Sequence, residues 1–424
     1  MAGRDLNRGA IVFVVLGLLV QALWAESSSP RSVRLHNYNN WWLATTAEGR
    51  AEAIRVIARR DNICFGEDWT ISKSPPVEPA EIKILNPNAK VYRLYVLLAK
   101  NVSSDADWND PFDTSRMQAP IAKAVIDANG WWLLDGNGEV AKQSGTTNWL
   151  LDVGKPGFKE AYLDGVLSRI EGKSFDGVVF DYLWPYASSI QQVFKVEGLQ
   201  EYPSDDEWFY NAWKPFFEYV VTGLQKAGYL VIGNCAGEYG TTELLRIWQR
   251  SKVDGTIYEQ GAVDFRTRNG AWLPGNVIER RIEALASDPL EVWFANNGII
   301  ADNPAVPDTP DFERKVVVSL AMYYVGIPAS QEKRSYDYAY NWKPFWDPLW
   351  DFYIGEPAER ASKTPGKYFW SRKFTCGIVL LNYESQETIN FSLDGEYRNP
   401  AGERVTGEIS IPPHTALILA REER

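Results

Sequence analysis

Histidine is nearly absent: a chain of 424 residues carries only His36 and His414, one near each end. Zinc hydrolases and polysaccharide deacetylases generally gather two or three histidines around the metal, so that chemistry lacks its ligands here. A Ser–His–Asp hydrolase needs one histidine in its catalytic region, and only His36 could serve. Cysteine is scarce too. Cys64, Cys235 and Cys376 form an odd set without metal-type spacing, which allows at most one disulfide within the chain. Cys64 and Cys235 fall on expected strands, where a buried free thiol is the commoner outcome. There is no low-complexity tract and no short solenoid repeat. Positive charge is in deficit, with a formal net charge of −11 and a pI of about 5.0. Such a surface repels nucleic acid and other polyanions, and suits a neutral or cationic ligand. Nothing indicates an organic cofactor or a metal. Carboxylate chemistry is what remains.

What the chain has in plenty is aromatic surface: 18 Trp, 21 Tyr and 18 Phe. Most such rings fill a large core. Flat rings also stack on the C–H faces of sugars, so an acidic, Trp-rich chain points toward saccharides.

At the N-terminus Arg4 and Arg8 precede an apolar run from Ile11 to Val20, and the small residues Ala22 and Ala25 follow. That is the layout of a secretory signal peptide, expected over residues 1–25. The run is short for a membrane span, and an uncleaved signal anchor is the alternative. The expectation is a secreted or extracytoplasmic protein that meets a membrane only through this segment.

Farther along, short apolar runs alternate with amphipathic stretches, the pattern of a parallel α/β fold. Strands are expected at 33–38, 62–67, 90–98, 176–181, 229–234, 254–259, 290–295 and 325–330, with helices between them. Eight strands, most followed by a helix, favour a closed (β/α)8 TIM barrel over an open doubly wound sheet. No glycine-rich dinucleotide fingerprint follows the first strand to argue otherwise. The barrel is expected over residues 31–364. Between its third and fourth strands lies an insertion around 130–152, carrying Trp131-Trp132, the turn Asp135-Gly136-Asn137-Gly138 and Trp149-Leu150-Leu151-Asp152. The turn signal between apolar runs predicts a hairpin above the barrel. After about Thr364 only short strands and turns remain, predicting a small C-terminal β-domain over 365–424.

The sharpest chemical signal is an echo. Phe175-Asp176-Gly177-Val178-Val179-Phe180-Asp181 is matched by Val253-Asp254-Gly255-Thr256-Ile257-Tyr258-Glu259. Each segment opens on Asp-Gly, runs apolar and ends in a carboxylate five residues after its first Asp. Strand side chains alternate, so Asp181 shares a face with Val179 and Gly177, and Glu259 with Ile257 and Gly255. If that face is the barrel interior, both carboxylates stand at the C-terminal mouth, where barrel enzymes keep their sites. Glycoside hydrolysis needs such a pair: one carboxylic acid protonates the leaving oxygen, and the other attacks the anomeric carbon or activates water. Strand-end acids can also merely cap a helix or bind an arginine, and the matched pair is what favours catalysis. Asn234 and Asn296, followed by Asn297, would suit hydroxyl recognition at the mouth. Tyr38, Arg93, Tyr95, Asp152, Tyr182, Trp184 and Gln331 are further candidate lining residues.

At "FDGVVFDYLW" and "WLLDVGKPGFKEAYLDGVLSRI" the chain resembles a group of barrel proteins known as hypothetical glycosyl hydrolases. More distantly it is similar to the endo-α-1,4-polygalactosaminidases. A later strand ending in Tyr-Glu is matched by Tyr258-Glu259, and "RKFTCGIVLLNY" and "IPPHTALIL" resemble the small β-domain that follows such barrels. The resemblance implies that Asp181 is the nucleophile or base, Glu259 the general acid and Asp152 a recurrent acidic position without an assigned role. It leans toward a retaining mechanism and implies a polysaccharide or oligosaccharide substrate. Two other readings stand beside this one. A carbohydrate-binding pseudoenzyme would use the same carboxylates only to hydrogen-bond hydroxyls. A metal-dependent barrel hydrolase would need further ligands beside Asp181, and the sequence offers no such cluster.

Overall fold

Three apolar runs entered through Asp61-Asn62, Asp176-Gly177 and Asp254-Gly255 become strands of one parallel sheet. The computed structural model describes residues 31–37, 47–65, 77–102, 118–145, 147–181, 183–234, 244–258, 262–264, 271–297, 310–339 and 346–422. Eight strands lie side by side in chain order: β1 (His36–Asn37), β2 (Asn62–Phe65), β3 (Lys90–Val96), β4 (Gly177–Asp181), β5 (Leu230–Gly233), β6 (Gly255–Tyr258), β7 (Glu291–Asn297) and β8 (Arg334–Ala339). The seam closes where Leu35 bridges Tyr336 in parallel and the Tyr336 amide donates to Arg34 O at 2.9 Å. The result is a (β/α)8 barrel.

Side-chain alternation decides which residues face inward. Tyr92 and Leu94 of β3, Val179 of β4, Ile232 of β5, Ile257 of β6 and Trp293 of β7 form one buried cluster, the barrel interior. Their neighbours in sequence, such as Val178, Phe180 and Phe294, pack outward in the clusters that hold the helices. His36 is fully buried and stacks on Trp293 with ring centroids 5.1 Å apart. Burial and the nearby positive charge of Arg60 hold its imidazole well below the ordinary range, so it is a neutral packing group. Cys64 is buried in the same cluster; Cys235 lies outside the described residues.

The Asp-Gly doublets have an architectural use. Asp176 Oδ2 accepts the Val91 amide at 2.6 Å, and the Asp176 amide donates back to Val91 O at 2.7 Å. Asp254 does the same with Val231, at 2.9 and 2.8 Å. Asp61 repeats it with Leu35, at 2.7 and 2.9 Å. Each aspartate at the foot of a strand thus locks the register of the strand before it. The glycines follow from crowding: a Cβ on Gly177 would sit 2.2 Å from Leu230 O, and one on Gly255 2.6 Å from Ile232 Cδ1.

One strand differs from expectation. The run at 325–330 is not the eighth strand: Val325 and Gly326 end the helix Pro310–Gly326, and β8 begins at Arg334. That helix is wedged between barrel and C-terminal sheet, with Val318, Leu320, Ala321, Met322, Tyr323 and Tyr324 all buried. A helix buried all round loses its amphipathic period and reads like a buried strand. The true strand, Arg334-Ser335-Tyr336-Asp337-Tyr338-Ala339, alternates polar residues inward with tyrosines packed outward.

The C-terminal domain is a six-stranded antiparallel sheet from Ser362 to Arg421. Trp370, Phe374, Val379, Leu381 and Ile418 of one face join the cluster of helix Pro310–Gly326. Arg372 fixes the joint: its buried guanidinium donates to Tyr324 O at 2.9 Å and to Ile327 O, carbonyls that the helix end leaves without partners. Burial lowers its pKa to about 10.

Above β3 the insertion is a small antiparallel patch. Ala99–Asn101 pairs with Asn148–Leu150, and Leu134 bridges Val140 across the turn at Asp135, whose Oδ1 accepts the Asn137 and Glu139 amides at 2.9 and 3.0 Å. Buried Asp152 anchors it, accepting the Tyr202 hydroxyl at 2.8 Å and the Gly154 amide at 3.0 Å on Oδ1.

Replacing Asp254 with Ala should lower unfolding free energy by about 1–3 kcal/mol, because the Val231 amide loses its acceptor. Asp254→Asn keeps an acceptor oxygen and should lose less, both read by urea denaturation. For Asp152, burial is the leading influence and raises its pKa above the ordinary 3.8. Its stabilising contribution is therefore full below that value and is lost as pH rises through the raised one. Asp152→Asn has no charge to desolvate. Its stability relative to the unsubstituted protein should improve as pH rises from the ordinary value through the raised one and stay level above it; a gap independent of pH would contradict the assignment.

Candidate active site at the barrel mouth

Asp181 is the last residue of β4, and its parity with Val179 turns its side chain to the interior face at the C-terminal end. The backbone there is held on both sides: the Leu97 amide donates to Asp181 O at 3.1 Å, and the Asn234 amide to Phe180 O at 2.8 Å. Register carries Asn234, just past β5, into the place beside Asp181. Its Nδ2 donates to Asp181 Oδ1 at 3.1 Å. Both residues are half-buried. An amide donor on one carboxylate oxygen fixes the plane of the carboxyl group.

The other expected positions divide. Tyr38, Tyr182 and Glu259 lie outside the described residues, as does the side chain of Asn296. On β6, Ile257 is an interior residue while Tyr258 packs outward beside Asp288. Trp184 follows β4, half-buried, its ring edge-on to Phe194 and its carbonyl accepting Trp208 Nε1 at 2.9 Å. Asp152 is the anchor of the insertion described above.

Three expected lining residues are found elsewhere. Arg93 and Tyr95 fall on the outer face of β3, in phase with Val91 and opposite Tyr92 and Leu94. Nearness to the mouth does not decide the face of a strand residue; its phase does. Gln331 precedes β8, so it stands at the foot of the barrel; its Nε2 donates to Glu356 Oε2 at 3.0 Å. That shift follows from the displaced eighth strand. The same displacement concealed Asp337, a buried acid of β8 paired in register with interior Ala295 and 4.0 Å from Arg60. The alternation of Arg334–Ala339 was the signal that could have found it.

Several solved structures match this chain at low identity. Among solved structures, the glycoside hydrolase domain of PelA from Pseudomonas aeruginosa is 12% identical with a TM-score of 0.41, over 70% of this chain and 94% of that one. An α-amylase from Geobacillus thermoleovorans, solved with acarbose, is 10% identical with a TM-score of 0.47, over 93% and 99% of the two chains. A maltogenic α-amylase, AmyB, from Thermotoga neapolitana is 9% identical with a TM-score of 0.48, over 92% and 99%. No curated protein matches significantly. The family profile described as hypothetical glycosyl hydrolase family 15 matches residues 83–378, from the approach to β3 into the C-terminal sheet. With more than half of its length inside that match, the chain belongs to the hypothetical glycosyl hydrolase family 15.

Proposed function

We propose that this glycoside hydrolase is exported and cleaves an extracellular polysaccharide or oligosaccharide by a retaining, two-carboxylate mechanism. The observation that carries the reading is Asp181 on the inner face at the end of β4, oriented by Asn234. The layout of residues 1–25, with its basic start, apolar middle and small-residue end, supports export.

In this reading Asp181 attacks the anomeric carbon while Glu259 gives its proton to the departing glycosidic oxygen. Glu259 then takes a proton from water, which attacks the anomeric carbon, breaks the ester to Asp181 and releases the sugar with its configuration retained. The interior position of Ile257 supports Glu259 as the partner, because two residues farther along a strand the side chain returns to the same face. Half-burial gives the Asp181 carboxylate a medium in which charge developing on the sugar is stabilised more strongly than in water. Asn234 acts on Asp181 directly, holding one oxygen so that the other is aimed.

The test is release of new reducing ends from a panel of neutral and amino-sugar polysaccharides. Asp181→Asn and Glu259→Gln should each lower kcat by at least about 10²-fold with the fold intact. Asn234→Ala should lower kcat by about 10-fold, the scale of a lost orienting contact. If no polymer is cleaved while the protein and both carboxylate variants still bind one, the binding-protein reading replaces this one.

A further inference from the structure

The C-terminal sheet touches the barrel at a second place besides the Arg372 joint. After β6 the chain makes a small hairpin, in which Val263 pairs with Trp272 and Asp264 with Ala271. Both legs end on one side chain of the C-terminal domain. The Tyr383 hydroxyl donates to Ala262 O at 2.6 Å and accepts from the Leu273 amide at 3.1 Å. Ala262 and Tyr383 are both buried. The ring of Trp272 is held as well. It stacks on His414 at 4.6 Å and 13°, meets the Tyr383 ring edge-on at 5.8 Å, and has the Arg314 guanidinium 5.6 Å from its centre. His414 reaches this position in a left-handed backbone conformation, φ +47°, which a non-glycine residue seldom adopts. Burial, then the Arg314 charge, lower its pKa, so it stacks as a neutral ring.

Tyr383 ends the segment "GIVLLNY" and His414 stands in "IPPHTALIL", so the two stretches that mark the β-domain in the sequence supply the two contacts. Packing alone does not require this arrangement. A phenylalanine would fill the same core site, whereas the hydroxyl satisfies a carbonyl and an amide eleven residues apart in the hairpin.

We propose that Tyr383 is a positioning residue: the C-terminal sheet fixes the hairpin after β6, and through it the end of β6, for the glycosidase reaction. The inference rests on the reading above that Glu259 is the general acid. Two residues separate Glu259 from Ala262, and the three chain steps reach at most roughly 10 Å, so a fixed Ala262 bounds where the acid can lie. A hydroxyl that bonds both legs holds their spacing as well as their place.

The test uses the full-length protein with Tyr383→Phe, assayed on the polysaccharide from which the unsubstituted protein releases most reducing ends. The ring and its packing stay, so Tm should change by only a few degrees. Amide exchange in the 271–275 segment should accelerate by about 10-fold. The kcat should fall by about 10-fold with KM within about twofold, and the basic limb of the pH–rate profile, which reports the acid, should move. Unchanged exchange, or faster exchange with unchanged kcat and pH profile, overturns the proposal. A kcat loss that only tracks a large drop in Tm overturns it too, since it marks a purely structural role. Glu259→Gln separates the two claims. It should lower kcat by at least about 10²-fold while leaving exchange at 271–275 as it was; full activity in that variant would remove the acid assignment and with it the route by which Tyr383 acts on rate, whereas that loss beside an unchanged kcat in Tyr383→Phe would overturn the positioning role alone.

Discussion

Register in the parallel sheet is the constraint on which the mouth depends. A shift of one residue in β4 would turn Phe180 inward and Asp181 outward, among the helices, because side chains alternate with a period of two. Asp61, Asp176 and Asp254 guard against that slip from the far end of the barrel. Each takes an amide of the strand before it with its side chain and returns its own amide to the same residue. A carboxylate accepting a backbone N–H is stronger than a neutral hydrogen bond and more demanding in direction, so it pins the pairing. The mouth inherits its geometry from the foot. The Asp181–Asn234 contact needs β4 and β5 in the one register that sets Phe180 against Gly233.

The two ends of the Asp-Gly echo therefore differ in kind. Asp176 and Asp254 serve architecture, whereas Asp181, at the far end of the same run, closes β4 on the interior face. The sequence made the echo and its faces legible because period-two alternation is local information, and Asp181 is found on the face it predicts. Arg93 and Tyr95 show what was not legible: whether a strand residue near the mouth points in or out depends on the phase set by neighbouring strands. Gln331 and Asp337 show a second reason. A helix packed on all sides has no amphipathic stripe, so Pro310–Gly326 masked where β8 begins, and one residue was assigned to the wrong end of the barrel while another went unseen. Asp152 was legible as a recurrent acid. Its use, gathering the Tyr202 hydroxyl and the Gly154 amide inside the insertion, depends on a contact fifty residues away that no local pattern announces.

The aromatic wealth of the chain resolves in the same way. Trp208, Trp213, Trp293 and Trp350 are fully buried, and His36 is spent on stacking against one of them. Rings build the interior and the helix layer, and Trp184, just past β4, is half-buried. Composition pointed to sugars, but the carboxylate and its amide partner carry that reading.

Arg372 has one more consequence. Small sheets at the ends of barrels are often pictured as cassettes, exchanged between enzymes by recombination at a linker. Here the guanidinium occupies carbonyls at the end of helix Pro310–Gly326, and the sheet covers that helix's apolar side. A foreign sheet would have to bring a donor to the same carbonyls and a matching apolar face. Descent in this family should therefore carry barrel and sheet together, as one heritable unit rather than two interchangeable parts.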